Sequence, residues 1–314
     1  MTVLETPSIV EGRAVRRAQL PQFTLVGAPD APVVVVLGGI SATRHVVSST
    51  GQPGWWNAIA GDARAIDTNR FRVLGIDFLD AGRDATGRPR RIVTTHDQAL
   101  WLMRALQSTG VGRAHAIVGS SYGGMVALAF AERFAAHVDR LVILSAAHES
   151  APMSTALRTL QRRIVELGLE TGRPDEAMAI ARGVAMTTYR TAAEFAERFA
   201  SRPLSLSNNG ARFEVDDYLR DRGDRFASNM RPERFLALSL STDLHRVDPR
   251  RITVPATLVA AEGDAIVPRP QMETLAARLA GPSNLVHLPT RVGHDAFLVE
   301  TDRVSAILSA ALTD

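Results

Sequence analysis

The chain has 314 residues, 46% of them hydrophobic, which is enough for one large core or for a core domain with a substantial insertion. It contains no cysteine, which excludes disulfides, thiolate nucleophiles and cysteine-ligated metals. All 36 basic residues are arginine and are interspersed with 33 acidic residues, so the net charge of +3 indicates solubility rather than a nucleic-acid-binding tract.

The N-terminus shows no basic segment followed by an apolar one, and no apolar run approaches the length of a membrane span. We therefore expect a soluble, cytoplasmic protein with neither a nucleic acid nor a membrane as partner. No motif calls for a metal or a bound cofactor.

Six short apolar runs are predicted as buried strands, several of them ended by glycine or a polar residue. In chain order they read APVVVVLGGISA, FRVLGIDFLD, AHAIVGSS, VDRLVILSAA, VPATLVAAEGD and SNLVHLPT. Helical patterns lie between several of them, over roughly 94–109, 123–135 and 270–280. This alternation predicts an α/β fold with a mostly parallel, doubly wound sheet.

The stretch 150–245 departs from that alternation. The segments STALRTLQRRIVELG, PDEAMAIARGVAMTTY and TAAEFAERFA have helical patterns, with no strand-like run between them. We interpret 150–245 as a helical insertion that covers the carboxyl edge of the sheet. The core domain is then predicted to comprise 1–149 and 246–314.

The segment GSSYG, Gly119 to Gly123, matches the pattern G-x-S-x-G with Ser121 at its centre. In that motif a sharp strand-to-helix turn exposes the serine hydroxyl, and the glycines permit the turn and close helix packing. A buried strand precedes the motif and a helical pattern follows it, as the motif requires. Ser121 is therefore predicted to be a nucleophile, the alternative being a plain strand-to-helix turn.

A serine nucleophile needs a base, and where this motif carries a triad the chain order is serine, acid, histidine. His294 lies in RVGHDAFL, a loop between the last predicted strand and the final helix, where the base is expected. The other downstream histidines fit less well, because they lie next to the serine helix, at the insertion edges or inside a strand: His137, His148, His245 and His287.

The predicted acid lies just past a strand end, in LVAAEGDAIVP. Asp264 follows a glycine and precedes a proline-marked turn, which suits a loop carboxylate facing the site. Glu262 is the alternative.

Two backbone N–H groups are predicted as donors to the oxyanion of a tetrahedral intermediate. One belongs to Tyr122, directly after the serine, and the other comes from the loop LGGISA after an early strand. We assign the second donor to Ile40, with Gly39 as its close neighbour. The glycines could equally serve only a tight turn.

From about residue 30 to the end, the chain resembles the homoserine O-acyltransferases of the α/β-hydrolase superfamily, which act in methionine biosynthesis. PGWWNAIAGDARAIDTNRFRVLGIDFL resembles the family's paired tryptophans leading into the second strand, and GSSYGGMVALAFA resembles its nucleophile turn. TTYRTAAEFAERF and FEVDDYLRDRGDRFASNMRPERFLALSLSTDLHRVD resemble its helical-insertion signatures, and GHDAFLVE its histidine loop. The last three together are more specific than the serine motif.

The chain departs from the family pattern in three respects. The early loop is GGISA where many members have a histidine-alanine-leucine type sequence, Tyr122 replaces a common methionine, and the chain is shorter than typical members. Since these differences lie at the oxyanion loop and the acyl pocket, they bear on the acyl donor more than on the reaction.

The resemblance implies that Ser121, Asp264 and His294 form the triad of an α/β-hydrolase fold with a helical lid. It also implies that Asp295 holds the amino group of homoserine and that Arg190 pairs with its carboxylate. Arg198 is the nearby alternative. An arginine suits a carboxylate because its planar fork can bind both oxygens.

We therefore expect ping-pong acyl transfer from acyl-CoA, a co-substrate, to the hydroxyl of L-homoserine, by a protein that the resemblance implies is a homodimer. Succinyl is slightly favoured over acetyl because the GGISA loop resembles a succinyl-using subgroup, and L-serine is a further possible acceptor. The alternatives are a serine esterase or thioesterase with the same triad and a non-catalytic binding protein on the same fold.

Overall fold

The computed structural model describes residues 2–5, 20–49 and 51–313, and for 2–5 it describes the backbone. Within these residues eight strands form one sheet in the order β1-β2-β4-β3-β5-β6-β7-β8. The strands are β1 Thr2–Glu5, β2 Phe23–Gly27, β3 Val33–Leu37, β4 Arg72–Ile76, β5 Ala116–Ser120, β6 Leu141–Leu144, β7 Ala256–Ala261 and β8 Ser283–Leu288.

The sheet is parallel from β4 through β8, whereas β1 pairs antiparallel with β2 and β2 pairs antiparallel with β4. Each of the six predicted runs contains one of the strands β3 to β8. The sequence did not predict β1 and β2, which extend one edge of the sheet as an antiparallel pair.

Ten α-helices lie along the described chain. The core helices are α1 Thr95–Ser108, α2 Tyr122–Phe134, α8 Arg269–Arg278, α9 Ala296–Val299 and α10 Thr301–Thr313. Between β6 and β7 lie α3 Pro152–Glu170, α4 Pro174–Tyr189, α5 Ala192–Arg198, α6 Glu214–Ala227 and α7 Pro232–Asp243. No helix of the described chain is both long and apolar enough to cross a membrane.

Helices cover both faces of the sheet, because the side chains of β3 alternate between two apolar clusters. Val35 and Leu37 belong to the cluster that includes Phe130 of α2. Val34 and Val36 belong to the opposite cluster, which includes Leu308 of α10. All five residues of β3 are buried, as expected for a strand in a doubly covered sheet.

The segment predicted as a helical insertion contains α3 to α7, and it has an apolar cluster of its own that includes Val165, Met178 and Phe226. No strand separates α3, α4 and α5, as the sequence predicts, but a short hairpin that the sequence did not predict follows them. An exposed hairpin of Ser205–Ser207 and Gly210–Arg212 lies between α5 and α6. These strands have three residues each and lack an apolar face, so no hydrophobic alternation marks them in the sequence.

Candidate active site

Ser121 occupies the turn between β5 and α2 in a strained backbone conformation, with φ 51° and ψ −121°. The turn is tight enough that a Cβ on Gly119 would lie 2.5 Å from the carbonyl oxygen of Gly123. A Cβ on Gly123 would collide with the backbone of Leu37 in β3. The glycines are therefore needed for close approach of α2 to the sheet, and the turn presents the serine hydroxyl at the N-terminus of α2.

A continuous hydrogen-bond chain joins the predicted serine, histidine and acid. Nε2 of His294 lies 2.9 Å from Oγ of Ser121, and Nδ1 of His294 lies 2.8 Å from Oδ2 of Asp264. The imidazole and the Asp264 carboxylate are almost fully buried. The structure thus brings together three residues from three separate loops in the arrangement that lets an imidazole accept a serine proton.

Asp264 is fixed by the backbone of its own loop. Its Oδ1 accepts hydrogen bonds of 2.8 Å from the N–H groups of Ile266 and Val267. Glu262, the alternative acid, is exposed at the surface. The carboxylate in contact with the imidazole is therefore that of Asp264.

The pKa of His294 is raised above its ordinary value. Burial opposes protonation of the imidazole, but the charge and hydrogen bond of Asp264 and the charge of Asp295 outweigh it. The Arg158 guanidinium acts in the opposite direction and lowers the pKa. The imidazolium that forms when His294 takes a proton is thus stabilised by two nearby carboxylates.

The other downstream histidines have structural contacts instead. His245 is fully buried, with its ring nitrogens 2.8 Å from the Thr95 hydroxyl and 3.1 Å from the Ala147 carbonyl, and burial lowers its pKa to about 3. Burial also lowers the pKa of His148. His137 is hydrogen-bonded to the Gly112 carbonyl in the turn after α1, and His287 is exposed on β8.

The two predicted oxyanion donors both line the cavity in front of Ser121. The N–H groups of Ile40 and Tyr122 donate no hydrogen bond to any other described residue. The Tyr122 N–H belongs to the first turn of α2, where backbone donors have no intrahelical acceptor. Both groups are therefore free to donate to a negatively charged oxygen at this position.

Ser121 and His294 open into a cavity of about 240 Å³ that the core and the insertion enclose together. The core contributes the loop Gly39–Ala42, Trp55 and Phe297, and the insertion contributes side chains from α3, α4 and α7. A substrate here would contact both parts of the chain.

Asp295 lines this cavity next to His294, while Arg190 does not. Oδ2 of Asp295 accepts a 3.1 Å hydrogen bond from Nε of Arg190, whose Nη1 donates to Glu194 at 2.9 Å. Arg198 also pairs with Glu194 and likewise does not line the cavity. Arg190 therefore lies outside the cavity lining with its Nε and Nη1 each bonded to a carboxylate, and its pairing with a substrate carboxylate stays a prediction.

Arg182 is the cavity-lining arginine of α4, and sequence reasoning missed it. Its guanidinium lies 5.2 Å from the ring centroid of Tyr189 and 5.0 Å from that of Phe226. No carboxylate of the described residues lies within 4.0 Å of it. Arg182 and Tyr189 are two helical turns apart and share a face of α4, but this spacing alone does not distinguish Arg182 from Arg190.

Comparison with known proteins identifies the family of the chain. A family model described as the alpha/beta hydrolase fold matches residues 32–301. A homoserine O-succinyltransferase of Xanthomonas campestris is 42% identical over 295 residues, covering 93% of this chain and 78% of that protein. An L-serine/homoserine O-acetyltransferase of Streptomyces lavendulae is 31% identical over 326 residues, covering 90% and 87%.

Among solved structures, esterase E22 superimposes with a TM-score of 0.84 at 19% identity and covers 99% of both chains. That likeness concerns the fold alone. The family model over residues 32–301 assigns the fold family, and the two relatives above 30% identity assign the family within it. The chain belongs to the α/β-hydrolase fold family and, within it, to the homoserine O-acyltransferase family.

Proposed function

We propose that the protein transfers an acyl group from acyl-CoA to the hydroxyl of L-homoserine by a ping-pong mechanism, as a cytoplasmic enzyme of methionine biosynthesis. The observation that carries the proposal is the pairing of a serine–histidine–aspartate chain with Asp295 and Arg182 in the same cavity. A hydrolase needs only the first part. An amino-acid acceptor needs both parts, because its ammonium and carboxylate require one anion and one cation.

Acylation begins when Oγ of Ser121 attacks the thioester carbonyl carbon while Nε2 of His294 takes the hydroxyl proton. Asp264 holds the imidazole through Nδ1 and stabilises its positive charge. The tetrahedral oxyanion accepts hydrogen bonds from the N–H groups of Ile40 and Tyr122. As the intermediate collapses, the carbon–sulfur bond breaks and the CoA thiolate takes the proton from His294.

Deacylation reverses these roles with a different nucleophile. His294 takes the proton of the homoserine hydroxyl, and the hydroxyl oxygen attacks the acyl carbon of the Ser121 ester. The same two N–H groups stabilise the second oxyanion. When it collapses, the bond to Oγ breaks and His294 returns the proton to Ser121, which yields O-acylhomoserine and the free enzyme.

Asp295 and Arg182 orient the acceptor in this second step. Asp295 lies next to His294 in the chain, and its Oδ1 makes no hydrogen bond to a described residue. That oxygen can accept from the homoserine ammonium while Oδ2 stays on Arg190. Arg182 then pairs with the carboxylate of homoserine, and Arg190 has the role of holding Asp295 in place.

We favour succinyl over acetyl as the acyl group, because the relative with 42% identity is named a succinyltransferase. Acetyl remains the alternative donor and serine the alternative acceptor, as the name of the Streptomyces relative illustrates. We also propose that residues 150–245 act as a lid that excludes water from the acyl-enzyme, and that the protein is a homodimer formed through this segment.

The proposal is tested by offering acetyl-CoA and succinyl-CoA in turn with homoserine and with serine, and by reading the product mass. O-Succinylhomoserine as the main product is the expected result. Free succinate at the same rate with and without homoserine would instead identify a hydrolase. Failure of a serine-directed phosphonate to label Ser121 would indicate a non-catalytic protein.

A further inference from the structure

A second group of arginines lies in the cavity region, on α3 and apart from Arg182. Arg158 lines the cavity and donates through Nε to Oδ1 of Asp243 at 2.7 Å. Arg162, one turn along α3, donates through Nη1 to Oδ2 of the same carboxylate at 2.5 Å and to the Ser239 hydroxyl at 3.1 Å. The α3 cluster, Arg158, Arg162 and Asp243, therefore joins α3 to the last turn of α7.

The α3 cluster carries an excess positive charge in a partly buried place. Two guanidinium groups share one carboxylate, and no other described carboxylate lies within 4.0 Å of either. The exposed fractions of the side chains are 13% for Arg158, 14% for Arg162 and 6% for Asp243. Since solvent screens such a charge only weakly, a bound anion would be strongly favoured beside it.

Two residues of α3 that line the cavity, Arg158 and Gln161, form what we call the α3 wall, and they present unused hydrogen-bond donors. Nη1 of Arg158 makes no hydrogen bond to a described residue, and it is not among the fully enclosed atoms without a partner. Gln161 lines the same cavity and is only 4% exposed, yet its side-chain amide has no partner among the described residues. A nearly buried amide that lines a cavity and lacks a protein partner is available to bind a ligand or a water there.

We propose that Arg158 and Gln161 form a subsite for the far carboxylate of a dicarboxylic acyl group, so that the α3 wall selects succinyl over acetyl. The inference rests on the proposed acyl transfer through Ser121. Arg158 supplies two N–H donors from Nη1 and Gln161 supplies two from its amide nitrogen, which together can satisfy both oxygens of one carboxylate.

The α3 cluster and the nucleophile face the same cavity, since Ser121, Arg158 and Gln161 all line it. The charge of Arg158 also acts on the imidazole of His294. The two methylenes of a succinyl ester place the far carboxylate carbon about 4 Å from the ester carbonyl carbon. A succinyl group on Ser121 therefore extends its carboxylate into the cavity that Arg158 and Gln161 line.

The acceptor's carboxylate has a different partner in the same cavity. Arg182 packs on Tyr189, and the Tyr189 carbonyl accepts a hydrogen bond from the Asp295 N–H, so the proposed acceptor residues form one continuous group. The α3 cluster belongs to other elements and is left for the acyl group. A neutral acetyl group would leave the excess charge of the cluster without a counter-charge.

The experiment compares Arg158→Ala and Gln161→Leu with the wild type in the acylation step alone. Succinyl-CoA and acetyl-CoA are offered without acceptor, and the burst of CoA and the mass of the acyl-enzyme are recorded. Losing the charged hydrogen bonds of Arg158 should lower the ratio of succinyl to acetyl acylation about ten- to a hundred-fold. Gln161→Leu, which retains the volume and the full charge of the cluster, should lower the ratio several-fold.

Arg163→Ala is the matched control, because it removes the same charge from an exposed position on α3 outside the cavity wall. It should leave the ratio unchanged. Because Arg158 also opposes protonation of His294, the rates are compared at a pH where they no longer change with pH. A similar effect of Arg163→Ala would overturn the subsite in favour of long-range attraction of the anionic donor.

Two further outcomes would overturn the subsite. Equal losses with both donors would mean that the α3 cluster only supports the fold or His294. An unchanged acylation ratio would also overturn the subsite, and a raised KM for homoserine, measured with acceptor added, would then place the acceptor's carboxylate at Arg158. If Arg158→Ala does not fold, Gln161→Leu decides between these outcomes. Aryl esters of succinate and acetate keep the test separate from the proposed function, because the ratio of succinyl to acetyl acylation can be measured with them. If the wild type only hydrolyses these esters when homoserine is present, the acyl-transfer proposal fails, but the ratio still tests the subsite.

Discussion

Replacing Asp295 with asparagine should separate the two half-reactions. The side chain of Asp295 is 11% exposed, and its two oxygens have different surroundings: Oδ2 is bonded to Arg190 and Oδ1 has no described partner. The amide keeps the volume and one oxygen but loses the charge. Arg190 retains Glu194 as an ion-pair partner, so the substitution does not leave its guanidinium without a carboxylate.

The expected loss follows from the charge of the acceptor. A hydrogen bond between ionised groups shielded from water contributes about 1.5–3 kcal/mol. This corresponds to a roughly ten- to hundred-fold lower kcat/KM for homoserine. The burst of CoA that reports acylation of Ser121 should survive, since Asp295 touches neither the hydroxyl nor the Nδ1 side of the imidazole.

The same substitution should move the acid limb of the acylation rate to lower pH. Acylation needs neutral His294, whose pKa is held above its ordinary value of about 6.5 in part by the charge of Asp295. Without that charge the pKa of His294 falls, so at a given acidic pH more of the enzyme has a neutral base. The opposite direction would contradict the electrostatic assignment.

The assay follows the CoA burst and the homoserine dependence in parallel, with Asp302→Asn as control. Asp302 is an exposed acid in the first turn of α10, so its substitution removes an equal charge seven residues away. An equal loss in burst and acceptor dependence for Asp295→Asn would place Asp295 in the support of the triad, and the acceptor-site assignment would be refuted.

Three further predictions follow from the same geometry. Ser121→Ala should abolish the acyl-enzyme with an unchanged unfolding midpoint. The double mutant with His294→Ala should transfer acyl groups no more slowly than either single mutant, because the two groups act as a unit. Clear additivity of the two losses would contradict this. Arg182→Met should raise the KM for homoserine about ten- to a hundred-fold with the CoA burst intact, whereas a lost burst would tie Arg182 to acylation. The pKa of His245 is lowered to about 3, so its contribution to stability is present above about pH 6.5 and is lost as the pH falls towards 3. His245→Gln should weaken the fall of the denaturant midpoint with acidity, and an unchanged pH dependence would show that the imidazole is not responsible.

The parts of the site that follow strand ends could be predicted from the sequence. Ser121 and Asp264 lie just after the buried strands β5 and β7, and His294 lies in the loop after β8, which is largely exposed although the sequence predicts it as buried. Strand ends are marked locally by the change from apolar to polar residues. The carboxyl ends of parallel strands meet at one edge of a sheet. The local pattern at each strand end and the shared edge of the sheet are therefore enough to predict that Ser121, Asp264 and His294 lie close together.

The choice among arginines could not be made in the same way. Arg182 and Arg190 are eight residues apart, and both fit the chemistry of a carboxylate site. What distinguishes them is that Arg190 lies past the end of α4, where it meets Asp295 and Glu194. The contact with Asp295 spans 105 residues of chain, so a pattern confined to neighbouring residues cannot register it.

The strands β1 and β2 were missed for another reason. β2 is as long as β3, but Thr24 interrupts its apolar run, so FTLVG lacks the continuous β-branched pattern that predicted β3, VVVVL. Its partner β1 comes from the start of the chain, and the pair is antiparallel, outside the alternation of strand and helix that predicted the rest of the sheet.

Tyr122 links the proposed oxyanion donor to helix α7, which lies over the cavity. Its backbone N–H is one of the proposed oxyanion donors, while its phenol oxygen lies 2.7 Å from the Ser241 hydroxyl on α7 and its ring packs edge-on against Phe78. Moving α7 outward to admit a bulky thioester would break this hydrogen bond. Each buried hydroxyl group left without a partner costs about 1–3 kcal/mol. We therefore expect α7 and the Tyr122 N–H to move together. An enzyme with α7 displaced would then be a poor catalyst. The acyl-enzyme would be exposed to bulk water least when the oxyanion donor is in place.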